Sequence, residues 1–199
     1  MMTTSLVGLR MTTVKCLVPP IVCLCTISLA WSPGRTEDLS PRQVVEKFCT
    51  MDSQGRQLSP EGLAEMTPLF LRSTTPNRTT IYVVRDYVIS NALVRGHAAD
   101  IFVEYTVIGK VDSHFRLRPI APDTRGPMKV RVDYHLVESQ RAGEGGLRWR
   151  IQSPLHAPHV LADVMIQRLS QLSDTDPDAG NRKAAAATVA ALRRDHPPN

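Results

Sequence analysis

The chain has 199 residues, of which 42% are hydrophobic and 22% are charged, a composition typical of one globular domain with additional segments. The formal net charge is only +5, and the basic residues do not form a cluster interleaved with aromatic side chains. A phosphate-binding groove needs such a cluster, so the composition argues against a nucleic-acid partner.

The N-terminal 30 residues have the layout of a secretory signal peptide. Two basic residues, Arg10 and Lys15, precede an uncharged apolar run over 16–30 that ends in Ser-Leu-Ala, with small residues where a signal peptidase cleaves. The run is about 15 residues long, shorter than the roughly 20 that a spanning helix requires. We therefore expect export to the periplasm or the medium, with a mature chain beginning near Trp31. The alternative is an uncleaved segment that anchors the domain in a membrane.

Residues 31–38 form a short polar linker, and two helices are predicted after it. Ser40 is a suitable N-cap and Pro41 a suitable first helical residue, and the apolar residues that follow at helical spacing end at Gly55. The same Ser-Pro start signal recurs at residues 59–60 and predicts a second, shorter helix. Cleavage of the signal would leave a single cysteine, so the fold cannot depend on an intramolecular disulfide.

The rest of the chain is dominated by predicted strands. Runs rich in β-branched and aromatic residues occupy 81–90, 92–108, 128–139 and 147–153, with a turn or bulge predicted at Asn91 or Gly96. Residues 112–127 are predicted to be a loop and residues 140–146 a hairpin turn. An amphipathic helix over 160–172 follows, and residues 173–199 are predicted to form a mobile Ala-rich tail.

Four stretches of the chain carry a resemblance to a known superfamily. Residues 43–51 (QVVEKFCTM) look like its first helix, and residues 93–107 (LVRGHAADIFVEYTV) look like its two central strands. Residues 134–137 (YHLV) and 147–154 (LRWRIQSP) look like its closing hairpin. In this order of elements the region 39–172 resembles the NTF2-like (SnoaL-like) superfamily.

The resemblance implies an α+β fold in which N-terminal helices pack inside a curved antiparallel sheet, forming a cone with a cavity at its open end. A C-terminal helix is expected in addition. Members of the superfamily include isomerases, cyclases, dehydratases and non-catalytic binding or dimerisation modules, so the fold alone implies no reaction.

Alternation along the predicted strands separates two faces of the sheet. One face is apolar throughout and is predicted to be concave and buried; it comprises Ile101, Val103, Tyr105, Val107, Val130, Val132, Tyr134, Leu136, Leu147, Trp149 and Ile151. The opposite face is mostly charged and is predicted to be exposed; it comprises Phe102, Glu104, Lys129, Arg131, Asp133, His135, Arg148, Arg150 and Gln152.

The concave face predicts a small apolar pocket with a few polar groups. Its predicted ligand-contacting residues are Arg85, Tyr87, Tyr105, Tyr134 and Trp149. No central Asp or Glu lies on this face. We therefore expect an exported module that binds a small hydrophobic ligand or another protein, requires no cofactor, and forms a homodimer through the outer sheet face.

The alternative function is a lyase or isomerase that acts on a hydrophobic small molecule. Asp100 or His135 would serve as the base and Tyr134 or Tyr105 as hydrogen-bond donor. His135 and Asp133 are two residues apart and share one face of a strand, which suggests a catalytic pair. Because that face is predicted to be the outer one, we expect a surface ion pair instead.

His156 and His159 are the remaining candidate ligands for a metal ion. Two histidines three residues apart supply only half of a typical site, and Pro158 between them prevents a regular helical face. The sequence by itself therefore predicts no metal.

Overall fold

A computed structural model of the protein describes residues 39–72, 79–120, 126–139 and 148–195. The predicted signal peptide, the linker over 31–38 and the hairpin turn over 140–146 lie outside these residues. The described part has an α+β fold in which a strongly curled sheet forms a half-barrel around helices. None of its helices has the length and apolar character needed to cross a membrane.

The two N-terminal helices begin where their capping residues predict. Helix α1 (Pro41–Ser53) has Ser40 as N-cap: its hydroxyl accepts a hydrogen bond from the Gln43 backbone, and the Gln43 side chain accepts one from the Ser40 amide. Gly55, which follows α1, has a φ of 71°, a conformation that suits glycine. Ser59 caps helix α2 (Pro60–Met66), its hydroxyl accepting a hydrogen bond from the Gly62 amide, and the helix ends in a short 3₁₀ turn.

The predicted strands are all present, and the described residues form one seven-stranded sheet. Its strands are β1 (Thr80–Ile89), β2 (Leu93–Arg95), β3 (Ala98–Asp112), β4 (Leu117–Arg118), β5 (Met128–Glu138), β6 (Trp149–Ser153) and β7 (His159–Leu161). The order is β6-β5-β3-β1-β7, and β2 and β4 also pair with β3. The pairs are antiparallel except for β7, which runs parallel to β1. Gly96 forms the predicted turn between β2 and β3, with a φ of 57°.

The predicted alternation of buried and exposed residues is confirmed along β3, β5 and β6. Tyr105, Tyr134, Leu136 and Ile151 are almost completely buried and pack against Phe48 of α1 in one core. Val130 and Val132 are half-buried at the edge of this core, and Leu147 lies outside the described residues.

On the outer face, charged residues interact across strands as predicted. Lys129 Nζ lies 2.5 Å from Glu104 Oε1, and the Arg131 guanidinium lies 3.7 Å from the centroid of the Phe102 ring. Such exposed pairs contribute little to stability individually, and the Arg131 guanidinium covers the Phe102 ring.

The C-terminal region differs from the prediction, because a packed helix lies where we predicted a mobile tail. Helix α3 (Ala162–Thr175) is followed by helix α4 (Ala179–Asp195), and Leu192 of α4 is completely buried. Small alanines such as Ala185 let α4 approach α3 closely, so few large apolar residues are needed. The Thr188 hydroxyl also donates to the Phe115 carbonyl (2.7 Å) and accepts from the Leu117 amide (3.1 Å). Together α3 and α4 form a second core with parts of β1, β3 and β7.

Candidate functional site

A group of polar side chains lies inside the first core, between α1 and the concave face of the sheet. We call it the interior polar cluster; its members are Cys49, Asp52, Gln57, Tyr105, Tyr134, His156 and His159. Six of the seven are almost completely buried, and His156 is half-buried. Buried polar groups need hydrogen-bond partners, so the donor or acceptor role of each group in the cluster restricts the role of its neighbour.

Five parts of the fold bring these residues together. The last turns of α1 place Cys49 and Asp52 three residues apart, on the helix face that also carries the buried Phe48. The central strands β3 and β5 contribute Tyr105 and Tyr134 from their concave face. His156 lies in the segment that leads into β7, and His159 is the first residue of β7, whose position is fixed by its parallel pairing with β1. The 3₁₀ turn between α1 and α2 contributes Gln57.

The hydroxyl groups of the cluster form a hydrogen-bonded chain with a defined direction. His156 Nδ1 lies 3.0 Å from the carbonyl oxygen of Ala157, which can only accept, so Nδ1 carries the proton. His156 Nε2 then accepts from the Tyr134 hydroxyl at 2.5 Å. The Tyr134 oxygen in turn accepts from the Tyr105 hydroxyl at 3.0 Å, and the Tyr105 oxygen from the Cys49 thiol at 3.3 Å.

Asp52 is a buried carboxyl group held by two donors. Its Oδ1 accepts from the Gln57 amide nitrogen at 2.8 Å, and its Oδ2 accepts from the His159 backbone amide at 3.1 Å. Burial raises the pKa of Asp52 well above its usual range, and these two hydrogen bonds offset only part of that effect. Both donors are neutral, so neither compensates a negative charge on Asp52.

His159 is enclosed by aromatic rings. It stacks on Tyr105, with ring centroids 4.1 Å apart, and on Tyr82 at 5.0 Å, while His156 meets it edge-on at 4.6 Å. Its Nδ1 lies 3.8 Å from Asp52 Oδ2, and this buried nitrogen has no hydrogen-bond partner among the described residues. Burial, and secondarily the neighbouring His156, lowers the pKa of His159 to about 3, so the ring is neutral at physiological pH.

His156 connects the cluster to the surface of the domain. Its ring packs edge-on against Phe48 and Tyr134, and burial lowers its pKa below the usual range for histidine. Because His156 is only half-buried, whereas Asp52 and His159 are almost fully buried, it is the member of the cluster nearest to solvent.

The structure places the predicted pocket residues in different environments. Tyr105, Tyr134 and Trp149 belong to the packed first core. Tyr87 is half-buried, with its hydroxyl 3.5 Å from that of Thr50, and Arg85 is exposed. A separate surface groove of about 550 Å³ runs between β4 and α4 and is lined by none of these five residues.

The predicted bases Asp100 and His135 do contact each other, but on the outer face. Their side chains are bonded at 2.8 Å and are 37% and 41% exposed. The prediction that His135 pairs with Asp133 is wrong, because Asp133 bonds Arg131 instead. In the β3–β5 register Asp100 lies directly opposite His135, and directly opposite side chains are closer than side chains two positions apart on one strand.

Sequence reasoning missed Asp52, Gln57 and the role of the histidines. A signal for Asp52 was present: it lies four residues after Phe48 and so falls on the apolar face of α1, where a carboxyl group is unusual. The proximity of Asp52 to His159, more than 100 residues later, follows only from the parallel pairing of β7.

A scan against models of known protein families finds no match, and a search of curated proteins finds no similar sequence. The chemistry of the cluster therefore rests on its geometry. Neutral imidazoles, tyrosine hydroxyls and a buried carboxyl group can bind a polar ligand group, position a proton donor, or coordinate a cation.

Proposed function

We propose that this protein is an exported domain of NTF2-like type that binds a small, largely apolar molecule inside its cone. The observation that carries the proposal is the hydroxyl chain of Tyr105 and Tyr134, which lies on an apolar concave face and is connected through His156 toward solvent. Binding sites for small molecules combine an apolar lining with a few convergent polar groups, as this region does.

The Tyr134 hydroxyl is the group expected to recognise the ligand. It is only 1% exposed and is bonded to both Tyr105 and His156, so a ligand carbonyl or hydroxyl has to enter beside His156 and replace it as the hydrogen-bond partner of Tyr134. The surrounding Phe48 and Ile151 provide apolar surface for the remainder of the ligand. Export and the homodimer through the outer sheet face belong to the same proposal.

Native mass spectrometry of the mature protein, purified from its own host, tests this function. We expect a retained organic ligand on the wild-type protein and loss of most of it in Tyr134→Phe, which removes one hydroxyl and keeps the ring. Thr67→Val is the control, because it also removes one hydroxyl but from an exposed residue that is not among the predicted pocket residues. A wild-type protein that carries no organic ligand would contradict the proposal.

Two further measurements address its other parts. N-terminal sequencing of the exported protein should begin near Trp31, and protein found in the cytoplasm with residues 16–30 still attached would contradict export. Sedimentation at micromolar concentration should show a dimer, and a purely monomeric protein would contradict the proposed homodimer.

A lyase or isomerase is the second candidate, and the 2.5 Å contact between Tyr134 and His156 favours it. A hydroxyl held by an imidazole is well placed to polarise a substrate carbonyl or leaving group. The same mass spectra separate the two candidates. If Tyr134→Phe retains a compound that differs chemically from the one on the wild type, the protein converts its ligand; if both retain the same compound in different amounts, it only binds it.

A further inference from the structure

We propose that Asp52, His156 and His159 form a binding site for a transition-metal ion, with Zn²⁺ as the best fit. Each residue offers one ligand atom, and the three atoms all lie within 4.8 Å of one another. The inference concerns a different ligand from the organic molecule proposed above and does not depend on it.

The unpartnered nitrogen of His159 is the independent observation that points to a cation. The His159 side chain is only 3% exposed, and its Nδ1 faces Asp52 Oδ2 at 3.8 Å without a hydrogen bond to any described residue. A buried polar atom that is left unpaired destabilises the fold, so such atoms are rare unless something else satisfies them. A metal ion between this nitrogen and the carboxylate would satisfy both.

The other two ligands are already oriented as metal ligands usually are. His156 donates its Nδ1 proton to the Ala157 carbonyl, as metal-binding histidines typically do to a neighbouring acceptor, which leaves Nε2 as the ligand atom. Nε2 accepts a hydrogen bond from the Tyr134 hydroxyl, so binding of the metal would displace that hydroxyl. Asp52 is held by Gln57 and by the His159 backbone amide, so both of its oxygens are fixed by neighbours. These contacts form the outer shell that a metal site requires.

The donor set indicates which ion fits. Two imidazoles and one carboxylate are a common ligand set of zinc sites that keep a fourth position open, whereas Mg²⁺ and Ca²⁺ prefer oxygen ligands alone. In a tetrahedral zinc site the ligand atoms are about 3.4 Å apart, so the ligands need to close by roughly 1 Å. The positive charge would also offset the buried Asp52 carboxylate, which has no cationic neighbour in the cluster.

The metal site is tested on the full mature protein. Bound metal is first removed with a chelator, and Zn²⁺ is then titrated while the midpoint of unfolding by heat or urea is measured. We expect one Zn²⁺ per chain and a concentration-dependent rise in Tm. His159→Gln and Asp52→Asn should each weaken binding at least tenfold. His135→Gln is the matched control, because His135 also contacts an aspartate but lies on the outer face, and it should leave the affinity unchanged.

A measurement on the unmodified protein keeps the proposal testable if the variants fold poorly. The chain has six histidines, and in ¹⁵N NMR spectra Zn²⁺ should shift the imidazole nitrogens of His156 and His159 alone. Shifts confined to other histidines, no shift at all, or zinc affinity equal in wild type and both cluster variants would each overturn the site. Zinc binding without any retained organic ligand would support the metal site and contradict only the proposed function.

Discussion

The two faces of the central sheet each hold a histidine beside an aspartate, and the two pairs differ in almost every other respect. On the outer face His135 and Asp100 are bonded at 2.8 Å, and both are more than one-third exposed. In the interior His159 and Asp52 are 3.8 Å apart and nearly inaccessible. Water can solvate the outer pair in any charge state, whereas the interior pair depends on the few groups around it.

Burial, more than residue type, therefore decides which histidine and which carboxylate can support chemistry in this protein. Burial lowers the pKa of His159 and raises that of Asp52, so the interior pair is held away from its usual charge states. Perturbed groups of this kind are characteristic of functional sites. Thiol reactivity, the free energy of unfolding and its pH dependence should therefore differ between buried and exposed groups in solution.

The largest difference is expected in the reactivity of thiols on the two faces. Cys49 is 1% exposed, and burial raises the pKa of its thiol to about 12, so little thiolate exists at pH 8. We expect iodoacetamide to modify Cys49 at least about a thousandfold more slowly in the folded protein than in urea. Glu104→Cys, on the exposed side of β3, should react at nearly the rate of a free thiol. Peptide mass spectrometry measures the modification rates of both thiols. Equal rates in the folded protein would show that Cys49 is no less accessible than a thiol on the outer face.

The next effect concerns the carboxylates. Asp52→Ala leaves two buried donors, Gln57 Nε2 and the His159 amide, without acceptors, and should destabilise the fold by about 3 kcal/mol in the presence of a chelator. Asp100→Ala removes an exposed contact and should change the free energy of unfolding by no more than about 0.5 kcal/mol. Urea unfolding followed by circular dichroism measures both values. Similar losses in the two variants would mean that Asp52 is not held as the structure shows.

The smallest effect is a pH dependence at Glu138, the last residue of β5. Hydrogen bonds from His97 and then Arg148 lower the pKa of Glu138. Because the folded pKa is depressed, the contribution of Glu138 to stability is present above its unfolded pKa of about 4.5 and is lost as the pH falls through the folded pKa. The urea midpoint of Glu138→Gln should therefore lie slightly below that of the wild type at pH 7.

The two midpoints should converge once the pH falls below the folded pKa of Glu138, where this residue is protonated in both states. A salt concentration of 1 M should reduce the difference at pH 7, because salt screens exposed charges. A difference that persists after Glu138 is protonated in both states would show that the loss comes from packing and not from the charge.

The features that depend only on neighbouring residues could be predicted from the sequence. The Ser-Pro starts of α1 and α2 are local capping signals, and the alternation along β3 and β5 assigns each side chain to one face whatever the partner strand is. This is why the α+β class, the buried Tyr105 and Tyr134 and the charged outer face were all predictable.

Only the tertiary structure decided the contacts between distant parts of the chain. The Ala-rich segment looked too poor in large apolar residues to pack, but its small side chains fit closely against α3. His135 found its partner across the sheet and not along its own strand, because register sets the shorter distance. Asp52 and His159 meet because β7 pairs parallel with β1, a long-range contact that no local pattern specifies. The candidate site depends on that contact, since spacing along the chain does not determine distance in the fold.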